Sequence, residues 1–462
     1  MADPHVLHPT ILREYDIRGI VGRTLTEDDV RAVGRGFGTL VQRSGGTRVA
    51  VGYDGRLSSP ALEAALVDGL IASGINVLRI GLGPSPMLYF AATELKADAG
   101  LMVTGSHNPP EYNGIKMVLH GKPFFGEAIQ RLGAAIAAAD FATGRGAAED
   151  VAIASRYADR LARDFRPGRR LKIAWDPGNG ACGAVLDLLC QRLPCDHFVI
   201  NGVVDGTFPA HHPDPTVEAN LAHLKALVAA EACDLGIAFD GDGDRIGVVD
   251  DLGRVIWGDQ LLVILARPLL AEVPGATIIA DVKSSQVFFD EIARMGGTPR
   301  MSRTGHSLIK TMMAETGALL AGEMSGHIFF AHRYYGFDDA PYAAVRLLSL
   351  LAESDRPLSA WRDAMPSLVN TPELRIDCPE ERKFAVVNEV RERLRHRPDL
   401  TIHAIDGVRV NSKEGWWLLR ASNTQPVLVG RCEAADAAGL ARLKAVLVSE
   451  LRQSGIDASS IL

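Results

Sequence analysis

Residues 48–54, RVAVGYD, form an apolar run that ends in Asp54. The segment behind it, SSPALEAALVDGLIASG, predicts a helix with Ser59 as N-cap, Pro60 at the first helical position and Gly74 as its stop. INVLRIG at 75–81 then reads as a second strand. The same order recurs twice. LKIAWD ends at Asp176, a Gly-rich turn opens an apolar helix, and CDHFVI follows at 195–200. TIIAD ends at Asp281 and is followed by SSQVFFDEIARMGG and TPRMS. Strand, helix and strand in this order make the βαβ unit of a mostly parallel sheet. Each unit then continues to another apolar strand: AGLMV (99–103), DLGIAF (234–239) and GALLA (317–321).

Those late strands run straight into TGSHNPP, DGDGDR and GEMSGH. Ligands of parallel α/β sheets bind beyond the carboxyl ends of strands, so three similar domains would offer three different loops to one site. The alanine-rich stretch near 134–148 reads as a helix leading into a linker. After about residue 367 the pattern changes. Short strands (LRID, DGVRV, WWLLRA, VLVGRCEA) mix with helices (KFAVVNEVRERL, AAGLARLKAVLVSEL), which suits a small α+β domain. The expected class is therefore α/β: three similar mixed-sheet βαβ domains plus a smaller C-terminal α+β domain around a central cleft. Boundaries are expected at 1–150, 151–254, 255–366 and 367–462.

Composition supports that division. At ~150 residues per domain, 462 residues allow about three to four domains. With 47% hydrophobic and 23% charged residues, the chain can build ordinary globular cores. Apolar runs such as 261–266 fall far short of the ~20 residues of a membrane span. The N-terminal MADPHVLHPTILREYD has no basic segment followed by a long apolar stretch, so no secretory leader is expected. A net charge of −7 argues against nucleic acid as a main partner. The six cysteines (182, 190, 195, 233, 378 and 432) lack metal-ligand spacing and read as reduced core thiols, which makes the cytoplasm the expected compartment.

Four loops carry candidate chemistry. In TGSHNPPEYNGIK (104–116), Ser106 either braces a turn or is a nucleophile, with His107 and Lys116 as the groups to activate it. DGDGDR (240–245) brings three carboxylates to alternate positions, able to turn toward one hard cation such as Mg²⁺. An EF-hand is excluded, because Arg245 stands where its glycine is required and Asp251 where its Glu belongs. GEMSGH (322–327) offers Glu323, Ser325 and His327 for sugar hydroxyls, or simply satisfies a turn. In RASNTQP (420–426), a guanidinium followed by hydroxyl and amide donors suits a phosphate dianion, though an ordinary Asn-containing turn has the same composition.

In this order, from ILREYDIRG (11–19) to RASNTQP, the loops resemble the α-D-phosphohexomutase superfamily. GEMSGH and RASNTQP look most like its bacterial phosphomannomutase/phosphoglucomutase group. The resemblance implies an intramolecular phosphotransferase that interconverts hexose 1- and 6-phosphates of glucose and mannose. It implies a phosphoserine at Ser106, a hexose 1,6-bisphosphate that turns round in the cleft, and glucose 1,6-bisphosphate as activator. Carried over, Ser106, His107, Lys116, Arg13 and Arg245 serve catalysis, and Ser106, Asp240, Asp242 and Asp244 hold Mg²⁺. Tyr15, Lys283, His306, Glu323, Met324, Ser325, Gly326 and His327 bind substrate, and Arg420, Ala421, Ser422, Asn423 and Thr424 grip the idle phosphate. Lys116, His107 or His327 would shuttle the hydroxyl proton, Lys116 with a pKa depressed by neighbouring cations. The implied partners are small phosphosugars, without nucleic acid or membrane, and the expected state is a monomer.

Other readings remain. Phosphoglucosamine mutase is disfavoured by Met324 and Asn423. Asp240 and Asp242 mimic an aspartyl-phosphate phosphatase loop, but that loop normally carries Thr or Val in place of Asp244 and leaves Ser106 without a role. A phosphosugar sensor would need neither the acidic triad nor Ser106.

Overall fold

The computed structural model describes residues 4–422 and 426–461. Three of its four sheets repeat one strand order. In the first, Asn76–Leu82, Arg48–Tyr53 and Ala99–Val103 lie parallel, and Tyr112–Leu119 returns antiparallel beside the last of them. The second repeats this with Asp196–Val199, Lys172–Asp176, Leu235–Phe239 and Ile246–Asp250. The third does so with Thr298–Ser302, Thr277–Asp281, Leu320–Gly322 and Ile328–Phe330. Ala99–Val103 and Leu235–Phe239 are buried at every position, as strands covered on both faces must be.

The antiparallel return decides where chemistry can sit. Reversal at the carboxyl end of the third strand makes residues 104–111, 240–245 and 323–327 hairpin tips, which demand tight turns. Gly243 (φ +71°) and Gly326 (φ +91°) supply the left-handed backbone that two of them need.

A fourth, antiparallel sheet runs Val369–Asn370, Val427–Ala434, Gly415–Ala421, Val408–Ser412, Thr401–His403, with Leu374–Asp377 also paired to Val427–Ala434. Helices Lys383–Leu394 and Ala437–Gln453 supply Val386, Val390, Leu443 and Leu447 to its core. The second and third sheets share a continuous core that also takes one face of the first, including Met87, Trp175, Ile264 and Leu348. The fourth domain keeps a separate core and meets the third at a small buried cluster of Val282, Trp416 and Leu418.

Two local expectations need correction. Ser59 is not the N-cap: the helix spans Ser59–Ala72, Ser58 precedes it, and the Ser59 hydroxyl instead donates to Asp54 Oδ1 at 2.5 Å. GALLA is a strand only from Leu320, because Gly317 (φ +66°) is still ending the preceding helix. The alanine-rich stretch is helical to Ala137 and then leads into irregular chain, as expected, before Ala148–Asp150 forms an edge strand parallel to Asn76–Leu82. Among the described residues all six cysteines are free thiols, and no helix is long and apolar enough to cross a membrane.

Candidate active site

Asp54, Asp176 and Asp281 end the first strand of each repeat, and all three are buried. Each spends its charge on main-chain and side-chain donors of the neighbouring loops. Asp54 accepts from Thr104 Oγ1 at 2.8 Å and Gly105 N at 3.0 Å, directly below the serine loop. Asp281 does the same for the third loop, accepting from Met324 N at 3.3 Å and Thr304 Oγ1 at 3.2 Å. Asp176 instead takes Asn201 Nδ2 and His211 Nε2, both at 2.9 Å.

On the braced serine loop, Ser106 is buried with φ at 50°, a left-handed conformation uncommon outside glycine. Its Oγ lies 3.3 Å from His107 Nδ1 and 3.3 Å from Asp240 Oδ2 of the second domain. Asp240, Asp242 and Asp244 are fully buried, with one oxygen of each within 4.8 Å of the others. Lys116 Nζ enters this acidic group, 2.6 Å from Asp242 Oδ2 and also donating to Asp244. Ser85 Oγ donates to the same Asp242 oxygen at 2.5 Å.

The electrostatics follow from that enclosure. Burial, then Asp244 and Asp242, push the Asp240 carboxyl well above the usual carboxylate range. Burial acts the same way on Asp242, but Lys116 and the Ser85 hydroxyl outweigh it and hold its pKa below normal. Burial opposes the Lys116 charge, yet Asp242 and Asp244 raise its pKa well above an ordinary lysine. The expected depression of Lys116 is thus reversed, since its nearest neighbours are carboxylates and not cations. His107 is driven well below the ordinary histidine value by burial, then by Arg245 and Arg18, so its ring is neutral.

The triad fits a divalent cation. Three carboxylates face one ammonium, and Asp242 Oδ1 and Asp244 Oδ1 are buried without a hydrogen-bond partner. Hard oxygen donors with two unused lone-pair sites suit Mg²⁺. A second trio, Asp244, His327 and Asp338, also gathers within 4.8 Å. Its chemistry is different. Arg245 Nε donates to His327 Nε2 at 3.0 Å, so Nε2 is the accepting nitrogen and Nδ1, 3.1 Å from Asp338 Oδ2, is the one left to carry a proton. A ring nitrogen that carries a proton is not a metal ligand.

Asp338 also accepts from Lys310 Nζ at 2.9 Å and lies 3.7 Å from His306 Nδ1. His306 stacks on His327 with ring centroids 5.6 Å apart and meets Tyr15 at 5.9 Å edge-on. Tyr15 OH donates to Thr304 O at 2.9 Å. Gly305 N donates to Glu323 Oε1 at 2.7 Å, and burial raises the Glu323 pKa. From there the contacts run into the fourth domain. Asp406 accepts from Thr304 N at 3.1 Å and from Arg420 Nε at 3.0 Å.

Ser106, His107, Lys116, the three aspartates, Arg245, His327 and His306 thus form one continuous cluster. Arg420 and Lys283 lie off it: Arg420 joins through Asp406, and Lys283 pairs with Glu373 Oε2 at 3.2 Å. Met324 Sδ and the Lys283 carbonyl both receive Arg431. Ser325 is half-buried, Gly326 N donates to Glu323 O at 3.0 Å, and Gly326 O accepts from Ile246 N at 3.0 Å. Arg13 N donates to Asp16 O at 3.0 Å, beside the start of the first sheet. Ala421 ends the strand that carries Arg420 and Ser422 follows it, and both are buried. Asn423 and Thr424 lie outside the described residues.

Sequence reading missed Arg18, Arg56, Ser85, Asp338 and Asp406. Arg56 had one available signal, its place just past Asp54 at the carboxyl end of a strand. Arg18 lies within ILREYDIRG, whereas Ser85, Asp338 and Asp406 stand in no motif.

Similarity to known proteins covers nearly the whole chain. The models for phosphoglucomutase/phosphomannomutase alpha/beta/alpha domains I, II and III match residues 9–143, 155–253 and 257–368, and that for the C-terminal domain matches 373–450. A Pseudomonas aeruginosa protein named phosphomannomutase/phosphoglucomutase is 46% identical over 98% of this chain and 97% of its own. A Neisseria gonorrhoeae phosphoglucomutase is 44% identical over 94% and 95%. The crystal structure of a Burkholderia thailandensis phosphoglucomutase/phosphomannomutase family protein superposes with a TM-score of 0.92 at 42% identity, covering 96% and 98%.

Proposed function

The chain belongs to the phosphoglucomutase/phosphomannomutase family, and on that premise we propose that it reversibly interconverts the 1- and 6-phosphates of glucose and mannose. The reaction runs through phosphorylated Ser106 and a hexose 1,6-bisphosphate. The observation that carries this reading is Ser106 Oγ standing 3.3 Å from Asp240 Oδ2, at the edge of three buried carboxylates and one lysine. A bare serine gains nothing from that acidic surrounding, whereas a phosphoserine beside a divalent cation does.

Ser106 passes its phosphoryl group to the free hydroxyl of the bound sugar phosphate, and the other phosphate of the resulting bisphosphate returns to Ser106. The P–O bond to Ser106 breaks as the one to the sugar oxygen forms. As the sugar hydroxyl attacks phosphorus it gives its proton to the neutral His107, 3.3 Å from Ser106 Oγ, and the imidazolium so formed passes that proton to the departing serine oxygen; the return step runs in reverse. Lys116 remains an ammonium and balances the charge around the transferring group. Arg245, held at Nε by His327, turns its other nitrogens to the phosphoryl oxygens.

Asp240, Asp242 and Asp244, with a Ser106 phosphate oxygen, would hold Mg²⁺, which would neutralise charge on the phosphoryl group. Glu323, Ser325 and the backbone of Met324 and Gly326 take the sugar hydroxyls that both orientations share, so carbon 2 goes unread and glucose and mannose are both accepted. Arg420, Ala421 and Ser422, with Asn423 and Thr424, grip the idle phosphate, and Tyr15, Arg13, His306 and Lys283 line the path between. Glucose 1,6-bisphosphate primes a dephosphorylated Ser106. The enzyme works as a cytoplasmic monomer divided at 1–150, 151–254, 255–366 and 367–462.

Intact mass after phosphatase treatment and re-incubation with glucose 1,6-bisphosphate tests the scheme: one phosphate must return, and on Ser106. Ser106→Ala must keep the fold and lose nearly all turnover. Comparing kcat/KM for glucose, mannose and glucosamine 1-phosphates tests the substrate class, and a preference for glucosamine would replace it.

A further inference from the structure

Arg56 is among the largest fully buried side chains of the molecule, 1% exposed, and no step above uses it. Its guanidinium donates to four main-chain carbonyls of the serine loop. Nη2 reaches Ser106 O at 2.7 Å and Asn108 O at 2.6 Å, and Nη1 reaches Pro109 O at 2.5 Å and Tyr112 O at 3.0 Å. Nε closes on Asp54 Oδ2 at 3.2 Å. A buried cation is tolerated only when it is paired and hydrogen-bonded, and buried carbonyls need donors. Here the two needs meet in one planar fork. Lysine, with three donors at one point, cannot span four carbonyls.

The surroundings show that the fork sets a position and does more than fill space. The Ser106 carbonyl is gripped from two sides: Arg56 Nη2 on one, and on the other the triad loop, where a Cβ on Gly241 would lie 2.4 Å from it. The left-handed φ of Ser106 is therefore held by contacts to its own carbonyl. A Cβ at Gly105 would fall 2.4 Å from Arg56 Cζ, so that glycine is what admits the guanidinium. The second domain closes the other face, with Phe208 5.1 Å below the guanidinium and Gly206 against the Arg56 backbone.

We infer that Arg56 is a positioning residue for phosphoryl transfer: it holds the Ser106 backbone in the conformation that aims Oγ at Asp240 and the triad. This rests on the mutase reading above. In the full-length protein with Mg²⁺, single-turnover phosphorylation of Ser106 by glucose 1,6-bisphosphate is followed by intact mass, and glucose 1-phosphate affinity by calorimetry. Arg56→Lys is expected to slow phosphorylation about a hundredfold, the cost of a misplaced reacting atom. Its dissociation constant for glucose 1-phosphate is expected to stay within about threefold of wild type, because the sugar contacts lie on other loops.

Gly105→Ala keeps Arg56 but drives a methyl into its guanidinium, and is expected to show the same split, so the inference does not depend on the lysine variant folding. A phosphorylation rate near wild type in both variants overturns it, as does an affinity loss equal to the rate loss. A wild-type protein that takes no phosphate on Ser106 overturns the mutase reading itself, a result distinct from wild type and variants being phosphorylated equally fast.

Discussion

Lys116 Nζ stands 2.6 Å from Asp242 Oδ2, a buried ion pair joining a strand of the first sheet to the hairpin tip of the second. The ammonium holds the Oδ2 atoms of Asp242 and Asp244, and its charge opposes a divalent cation drawn to the unpaired Oδ1 atoms of the same carboxylates. Lys116→Met should therefore destabilise the metal-free protein by about 3 kcal/mol, since it leaves a buried carboxylate unpaired. It should also tighten Mg²⁺ binding, because the competing cation is gone. Thermal melts with and without Mg²⁺ and a calorimetric titration check both, and an unchanged Mg²⁺ affinity would show that the two cations do not compete.

Gly241 approaches Ser106 so closely that a methyl there would stand 2.4 Å from the serine carbonyl. Gly241→Ala should part the serine loop from the triad and lower kcat by about a hundredfold, with little change in KM. Steady-state kinetics decide it, and a KM effect alone would contradict the expectation.

Arg420 is nearly buried and is held at Nε by Asp406, which also accepts from Thr304 N across the boundary between the third and fourth domains. Arg420→Ala should raise KM for glucose 1-phosphate about tenfold to a hundredfold, as the loss of charged hydrogen bonds to a phosphate implies. Asp406→Asn keeps the guanidinium and should raise KM less. Equal effects would mean that Arg420 acts through the domain contact and not on the phosphate.

His211 Nε2 donates to the buried Asp176 at 2.9 Å, and that hydrogen bond raises its pKa above the ordinary histidine value. Between the unfolded pKa near ~6.5 and the raised folded one, the folded protein binds more protons than the unfolded chain. This contribution is complete below the unfolded value and is lost as pH rises through the folded value. The melting temperature of wild type should thus fall more between pH 6 and pH 8 than that of His211→Gln. Parallel curves would refute it.

Much of this was legible because local patterns carried it. Apolar runs ending in Asp54, Asp176 and Asp281 marked the three repeats, and the glycine-spaced loops marked the tips where the chain must reverse. Boundaries went astray where a neighbour overrode a local signal. Ser59 looks like a cap, but Asp54 claims its hydroxyl. Gly317 looks like the start of a strand, but it closes a helix.

Residue types and their order along the chain determined the βαβ repeats, the changed fourth domain and the glycine-bearing loops at the ends of the late strands. Those depend on periodicity and turn chemistry, which act over a few residues. Tertiary structure alone decided which charges face one another. It placed Lys116 against aspartates and so raised the pKa that catalysis by a free amine would need lowered. It put Arg56 under four carbonyls fifty or more residues away in sequence. Electrostatic and hydrogen-bond energies depend on distance and burial in space, and neither is written in the spacing of residues along a chain.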